Sequence, residues 1–328
     1  MFKHLLFIMN CSRIFSLPMT ILSWLVIFIY SLADNGNLSN GFIALLGLIF
    51  AHLATNLMDD YFDYKSLIKQ VNFDKSEYLK SSQKTKCRYL ISGLMTESQL
   101  ISYILLYLIC AFTCGLILYI KCGIGVFYYA ILGAIIMLLY PFISRICLSE
   151  IAVGLAYGPL LFGGVYYVMT GTYSNDAHLL SIPSMIMTII LLYIHTVMDY
   201  DFDIAENKCT IANRFDSQLD SLIVLKIFLI LAYASPILLC IFDILDWQIF
   251  IIYLTLPLAF DLYKSMYSFS LDSEDLPRKK WYHFPMENLE DFIKRNEGAF
   301  MMRMLQARNL MIYFSLFLTI AIIICKII

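Results

Sequence analysis

Asn56-Leu57-Met58-Asp59-Asp60-Tyr61-Phe62-Asp63 closes an apolar run that begins near Gly41, so its polar groups stand at the mouth of a hydrophobic segment. On a helix, Asn56 and Asp60 are at i, i+4 and Asp60 and Asp63 at i, i+3. That spacing gathers an amide and two carboxylates on one face. Acceptors crowded in this way repel one another unless a cation sits among them, and hard oxygen ligands suit Mg²⁺ or Mn²⁺. The chain repeats the arrangement at Asp199-Tyr200-Asp201-Phe202-Asp203, which closes another apolar run with Asp199 and Asp203 again at i, i+4. Basic residues follow each cluster, Lys86 and Arg88 after the first and Lys208 after the second. Either cluster alone could be a solvated helix end; two with the same spacing and the same basic followers are harder to explain so. Carboxylates by themselves could coordinate Na⁺ or relay protons in a transporter. Carboxylates beside cations point instead to a polyanion bridged by Mg²⁺, and a diphosphate leaving group fits, because metal ions and a Lys/Arg clamp neutralise the charge that grows as its C–O bond breaks. If the carbon left behind is allylic, its cation needs a water-free, aromatic-lined cavity. The 23 Tyr and 24 Phe residues could supply one.

The elements that must position these clusters are membrane spans. Of 328 residues 60% are hydrophobic and 15% charged, with a mean hydropathy of +0.75, whereas soluble domains carry about 25% charged residues. The chain is therefore expected to be an all-α integral membrane protein, a single polytopic domain over 1–328 with no soluble domain and no nucleic-acid partner. At about 20 apolar residues per crossing, nine spans are expected: 14–33, 41–59, 98–119, 122–141, 150–170, 179–198, 221–242, 247–267 and 308–327. Spans three and four, joined by Lys121 and little else, read as a tight hairpin. Of the 23 basic residues, all but Lys121, Lys226 and Lys326 fall on one side if the N-terminus is inside. Both acidic clusters then face the cytoplasm, and the expected location is a bacterial inner membrane. No cleaved signal peptide is expected, since no small-residue cleavage site follows Met1–Ser12.

The long inside loop at 268–308 reads as an amphipathic surface segment in which Leu289, Phe292, Ile293, Phe300 and Met304 recur among charges. Nine cysteines show neither a CxxC pair nor metal-ligand spacing, and no disulfide framework is expected. Gly154-x3-Gly158 has the spacing of a close-packed helix contact, its commoner use than ligand binding. His52 and His195 each stand one turn before a cluster. A metal or base role is open to them, although a hydrogen-bonded interior histidine is the commoner arrangement.

Asn56-x3-Asp60-x2-Asp63 and Asp199-x3-Asp203 resemble the two aspartate-rich motifs of the UbiA superfamily of intramembrane prenyltransferases. The resemblance spans about residues 40 to 245. Residues 88–94 (RYLISGL) are similar to the segment after that family's first motif, and 203–212 (DIAENKCTIA) to the stretch after its second, with Asn207 where glycine is usual. Residues 158–171 (GPLLFGGVYYVMTG) resemble the fifth span of the 1,4-dihydroxy-2-naphthoate polyprenyltransferase branch. The resemblance implies a nine-helix bundle around a central cavity, in which Asn56, Asp60, Asp63, Asp199 and Asp203 hold Mg²⁺ and a polyprenyl diphosphate. It likewise implies that Arg88 and Lys208 contact the diphosphate. Asp59 stands where that branch often has asparagine, and Asp201 is an additional carboxylate; either could support the ligands or be solvated. The implied reaction is Mg²⁺-dependent prenyl transfer to an aromatic acceptor, 1,4-dihydroxy-2-naphthoate, on the way to menaquinone. 4-Hydroxybenzoate, a haem, a chlorophyllide and a glycerol phosphate are the alternative acceptors, and an ion-coupled transporter is the alternative outside the family.

Overall fold

The computed structural model describes residues 2–69, 75, 87–205 and 209–326. Among them every regular element is helical, as the long apolar runs require, because a helix satisfies all its own backbone groups in hydrocarbon. Among the described residues eight helices are long and apolar enough to cross a membrane, and Gly125–Tyr140 forms a shorter apolar one. The nine expected segments are therefore all helical, with one below span length.

The helices are α1 (Phe2–Cys11), α2 (Pro18–Ala33), α3 (Leu38–Leu67), the short α4 (Arg88–Ile91), α5 (Glu97–Cys122) and α6 (Gly125–Ile143). Then come α7 (Ser149–Thr170), α8 (Asn175–Met198), the short α9 (Tyr200–Ala205), α10 (Gln218–Ile241), α11 (Trp247–Leu271), α12 (Leu289–Lys294) and α13 (Gly298–Lys326). The chain divides into two compact units, Met1–Ile21 with Leu38–Ala130, and Leu22–Asn37 with Ile131–Ile328.

In the first unit α3 lies along α5. Gly47 permits the approach, since a Cβ there would sit 3.1 Å from Cys114 Cβ. Thr96 caps α5 through a reciprocal box with Gln99, whose backbone N–H donates to Thr96 Oγ1. The α5–α6 hairpin is as tight as expected: Gly123, at φ 84°, turns the chain and donates its N–H to Tyr119 O. Glycine takes that left-handed conformation without a Cβ clash.

In the second unit α8 is the central helix, packed on α7, α10 and α13. A Cβ on Gly154 would meet Ile189 Cγ1 at 2.6 Å, and one on Gly158 would meet Met185 Cβ at 2.7 Å. Both glycines serve the close packing their spacing suggested. Gly158 also leaves helical geometry (φ −95°, ψ −109°) before Pro159, where α7 widens into a π turn at Ala156–Leu160.

Two expectations change. The first acidic cluster does not end its helix, because α3 continues to Leu67. The 268–308 segment is not a surface loop throughout: α13 begins at Gly298, and Arg303 is 0% exposed. Its guanidinium donates to Ser265 O (2.9 Å), Asp275 O (2.7 Å) and Ala299 O (2.8 Å). A buried charge is tolerated where carbonyls accept from it and a carboxylate, here Asp275, stands beside it.

Candidate active site

The first cluster is built on the inward face of α3. Asp60 is 3% exposed, and a carboxylate at that depth persists only if its charge is balanced. Arg13, in the turn before α2, supplies the balance: its Nη2 donates to Asp60 Oδ1 and its Nη1 lies 3.3 Å from Asp59 Oδ2. Tyr89, at the start of α4, donates its hydroxyl to Asp60 Oδ2 at 2.8 Å. Burial, the Asp60 charge and this hydrogen bond all push the Tyr89 phenol well above its ordinary value, so it remains a donor. The Cys87 thiol donates to Asp60 O at 3.1 Å, fastening α4 to α3.

Asn56, one turn before Asp60, is oriented by the N-terminal segment. Its Nδ2 donates to Ser12 O (2.9 Å) and Ser16 Oγ (3.2 Å), which leaves Oδ1 as the acceptor for a cation. His52 is an interior histidine, between Ser16 Oγ (2.6 Å) and Thr20 Oγ1 (2.7 Å) on its two ring nitrogens. Asp63 is half-buried a turn beyond Asp60.

Asp60, with Arg13 and Tyr89 but without Asn56 or Asp63, lines a cavity of about 480 Å³. Arg13, Asp60, Arg88 and Tyr89 form its polar end, and Phe7, Phe15 and Leu94 its apolar walls. Cys11 also lines it, with a thiol pushed up to about 11 by burial and by Asp60, hence neutral. A ligand with a compact anionic head and a hydrocarbon tail matches such a lining. Arg88, expected to contact a diphosphate, is among the lining residues.

The second cluster sits at a helix break. Asp199 is the C-cap of α8 (φ −90°, ψ 11°), and α9 carries on from Tyr200. Asp203 N donates to Asp199 O at 2.8 Å, so the i, i+4 relation survives the break. Asp203 is 6% exposed, Asp199 is half-buried and Asp201 is exposed. His195 Nδ1 lies 3.1 Å from Asp199 Oδ2, and its ring meets Phe300 edge to face. The break is pinned from outside: Gln218 Nε2 donates to Val197 O (2.7 Å) and the Tyr200 hydroxyl to Phe215 O (2.7 Å). Lys208 lies outside the described residues. The cysteines differ from expectation at one pair, since Cys147 and Cys209 are disulfide-bonded with Cα atoms 4.7 Å apart. Their sequence separation of 62 gives no spacing signature.

Among the described residues no group of three or more His, Cys, Asp or Glu side chains could hold a metal by itself. Mg²⁺ does not require one. It is commonly held by one or two carboxylates, with waters and substrate phosphates completing the shell. Asn56 Oδ1 with the Asp60 and Asp63 carboxylates makes an all-oxygen donor set of that kind. The donor set fits the ion.

Arg13 and Tyr89 were not among the residues expected to act here. Arg13 registers in the sequence only as an inside positive charge, and Tyr89 only as a neighbour of Arg88.

A profile of the UbiA prenyltransferase family matches residues 19–289. No curated protein matches the chain. Two solved structures share its fold at 14% identity and a TM-score of 0.56. One, described under "Structural and mechanistic insights into the biosynthesis of Digeranylgeranylglyceryl phosphate synthase in membranes", is matched over 98% of this chain and 99% of its own. The other, a UbiA homolog from Aeropyrum pernix K1 in its apo form, is matched over 90% and 96%. Prenyltransferases of this family bind a prenyl diphosphate and an acceptor in the membrane and generally use Mg²⁺.

Proposed function

Because the chain belongs to the UbiA prenyltransferase family, and is thus an integral membrane prenyltransferase, we propose that it transfers a polyprenyl chain from polyprenyl diphosphate to 1,4-dihydroxy-2-naphthoate, an aromatic acceptor on the way to menaquinone. The observation that carries the diphosphate half of this reading is the first-unit cavity, with Asp60, Arg13, Arg88 and Tyr89 at one end and phenylalanine walls along it. The acceptor rests on the similarity of residues 158–171 to the dihydroxynaphthoate branch.

In this reading Asn56, Asp60 and Asp63 from the first cluster and Asp199 and Asp203 from the second hold Mg²⁺. When bound, Mg²⁺ neutralises charge on the diphosphate and favours its departure. Arg88 and Lys208 contact the diphosphate oxygens. Tyr89 and Arg13 hold the Asp60 carboxylate ionised and fixed, so it need not reorganise as charge develops on the leaving group. The apolar walls exclude water, which would otherwise capture the allylic cation. That cation is attacked by an electron-rich ring carbon of the acceptor, and the ring then loses its proton. We place the protein in a bacterial inner membrane as one polytopic domain, with the N-terminus and both clusters cytoplasmic, on the strength of the Lys/Arg distribution.

The test is a radiolabelled transfer assay on purified protein in detergent. It uses farnesyl or longer diphosphates with 1,4-dihydroxy-2-naphthoate, 4-hydroxybenzoate, haem, chlorophyllide and glycerol phosphate in parallel, with and without Mg²⁺. A Mg²⁺-dependent lipid product with dihydroxynaphthoate is the expected result. Product with another acceptor only would replace the acceptor and keep the prenyl donor.

A further inference from the structure

A second cavity, of about 190 Å³, lies in the second unit where α11 ends and α13 begins. Two buried side chains that line it each carry an atom with no hydrogen-bond partner among the described residues. Ser265, 4% exposed, leaves its Oγ without a partner, and Gln306, 2% exposed, leaves its amide oxygen without one. Buried polar groups are nearly always paired. Two orphans facing one cavity are therefore a sign of a missing ligand.

The charges around the cavity indicate its sign. Both lining carboxylates are already engaged. Asp261 accepts from Lys280 Nζ (2.7 Å) on Oδ1, and on Oδ2 from the Tyr282 hydroxyl (2.6 Å), with His283 Nε2 at 2.9 Å. Asp275 Oδ2 accepts from Ser268 Oγ (2.7 Å) and from Arg303 (3.3 Å). Lys264 and Arg278 line the same cavity, and neither has an ion pair among the described residues. Two uncommitted cations, a buried hydroxyl and a buried amide converge there.

We propose that this cavity is an oxyanion site for a phosphomonoester, separate from the residues assigned to prenyl transfer. Two cations match a dianion better than a single carboxylate, and an arginine beside a lysine suits tetrahedral phosphate oxygens. Ser265 Oγ–H and the Gln306 NH₂ donate to those oxygens, and the orphaned Gln306 Oε1 accepts from a hydroxyl of the phosphate or of the group esterified to it. The cavity exceeds the ~30 Å³ share of one water several-fold, leaving room for the phosphate and the first atoms attached to it. It opens at the ends of two spans, so the phosphate can belong to a lipid headgroup or to a soluble metabolite. Gln306 lies beyond the residues matched by the family profile, which end at 289.

The experiment is a titration of the full-length protein with inorganic phosphate and with glycerol 3-phosphate, in a neutral detergent and in EDTA, so that no Mg²⁺-dependent diphosphate binding contributes. A parallel arm uses phosphatidylcholine nanodiscs with and without phosphatidic acid. Saturable binding by the wild type is expected, weakened roughly tenfold or more in Lys264→Gln/Arg278→Gln. Both of these residues are exposed and should not affect folding. Gln306→Leu, close in volume, should lose phosphate affinity while its thermal midpoint stays level or rises, because an unpaired amide is removed. Tighter binding of phosphatidic acid assigns the site to lipid, and tighter binding of glycerol 3-phosphate assigns it to a soluble ligand. No saturable binding in any arm, or equal binding by the wild type and both variants, overturns the proposal.

Discussion

The two acidic clusters share a spacing but are held in opposite ways. In the first, Asp60 is buried mid-helix with Arg13 on one carboxylate oxygen and Tyr89 on the other. In the second, Asp199 caps a broken helix, half-buried, with His195 Nδ1 3.1 Å from its carboxylate. An arginine is charged at every accessible pH. The first cluster is therefore preorganised by its own counter-ion. Among the described residues Asp199 in the second has no arginine or lysine on its carboxylate, which lies beside His195 instead. A motif fixes which atoms can ligate; the surroundings decide how much of their cost is met before a ligand arrives.

The largest effect should come from Asp60→Ala. It removes a proposed ligand and strands Arg13 without its principal counter-charge. Transfer should fall on the order of 10³-fold, and stability by about 3 kcal/mol, as for a broken buried pair, read by kcat/KM and by chemical denaturation. Asp199→Ala sharpens the contrast. Transfer should drop on the order of 10²-fold, yet stability should move by no more than about 0.5 kcal/mol. Equal destabilisation by the two substitutions would break the comparison. Tyr89→Phe deletes one donor to a charged acceptor, a loss of about 1.5 kcal/mol, and should reduce kcat/KM about tenfold without lowering the yield of folded protein. The smallest effect belongs to His195→Gln, where a partly exposed pair is worth about 0.5 kcal/mol. Activity should change only about twofold, and a large loss would promote His195 to a working residue.

Much of the scaffold and both carboxylate clusters were legible in the sequence because each follows a local rule. Spans are apolar runs, the Lys121 hairpin is a missing linker, Gly154 and Gly158 are small residues four apart, and Asn56, Asp60 and Asp63 share a helix face. What was missed depends on distant approach. Arg13 and Tyr89 reach Asp60 from 47 and 29 positions away, and no periodicity connects them. The Cys147–Cys209 bond is equally non-local. The sequence reads residues 298–307 as part of the amphipathic surface segment, because charges interrupt their apolar positions. The structure makes them helix, since Ser265, Asp275 and Ala299 supply the acceptors that a hydropathy window does not see.

The central claim is that carboxylates hold Mg²⁺ and Mg²⁺ holds the diphosphate. The most direct measurement is calorimetric binding of farnesyl thiodiphosphate, which ionises slowly, to the purified protein in detergent. The account predicts saturable binding with Mg²⁺ that weakens about tenfold or more in EDTA and likewise in Asp60→Asn with Mg²⁺ present. The same affinity in EDTA, or an Asp60→Asn protein that binds like the wild type, would contradict it.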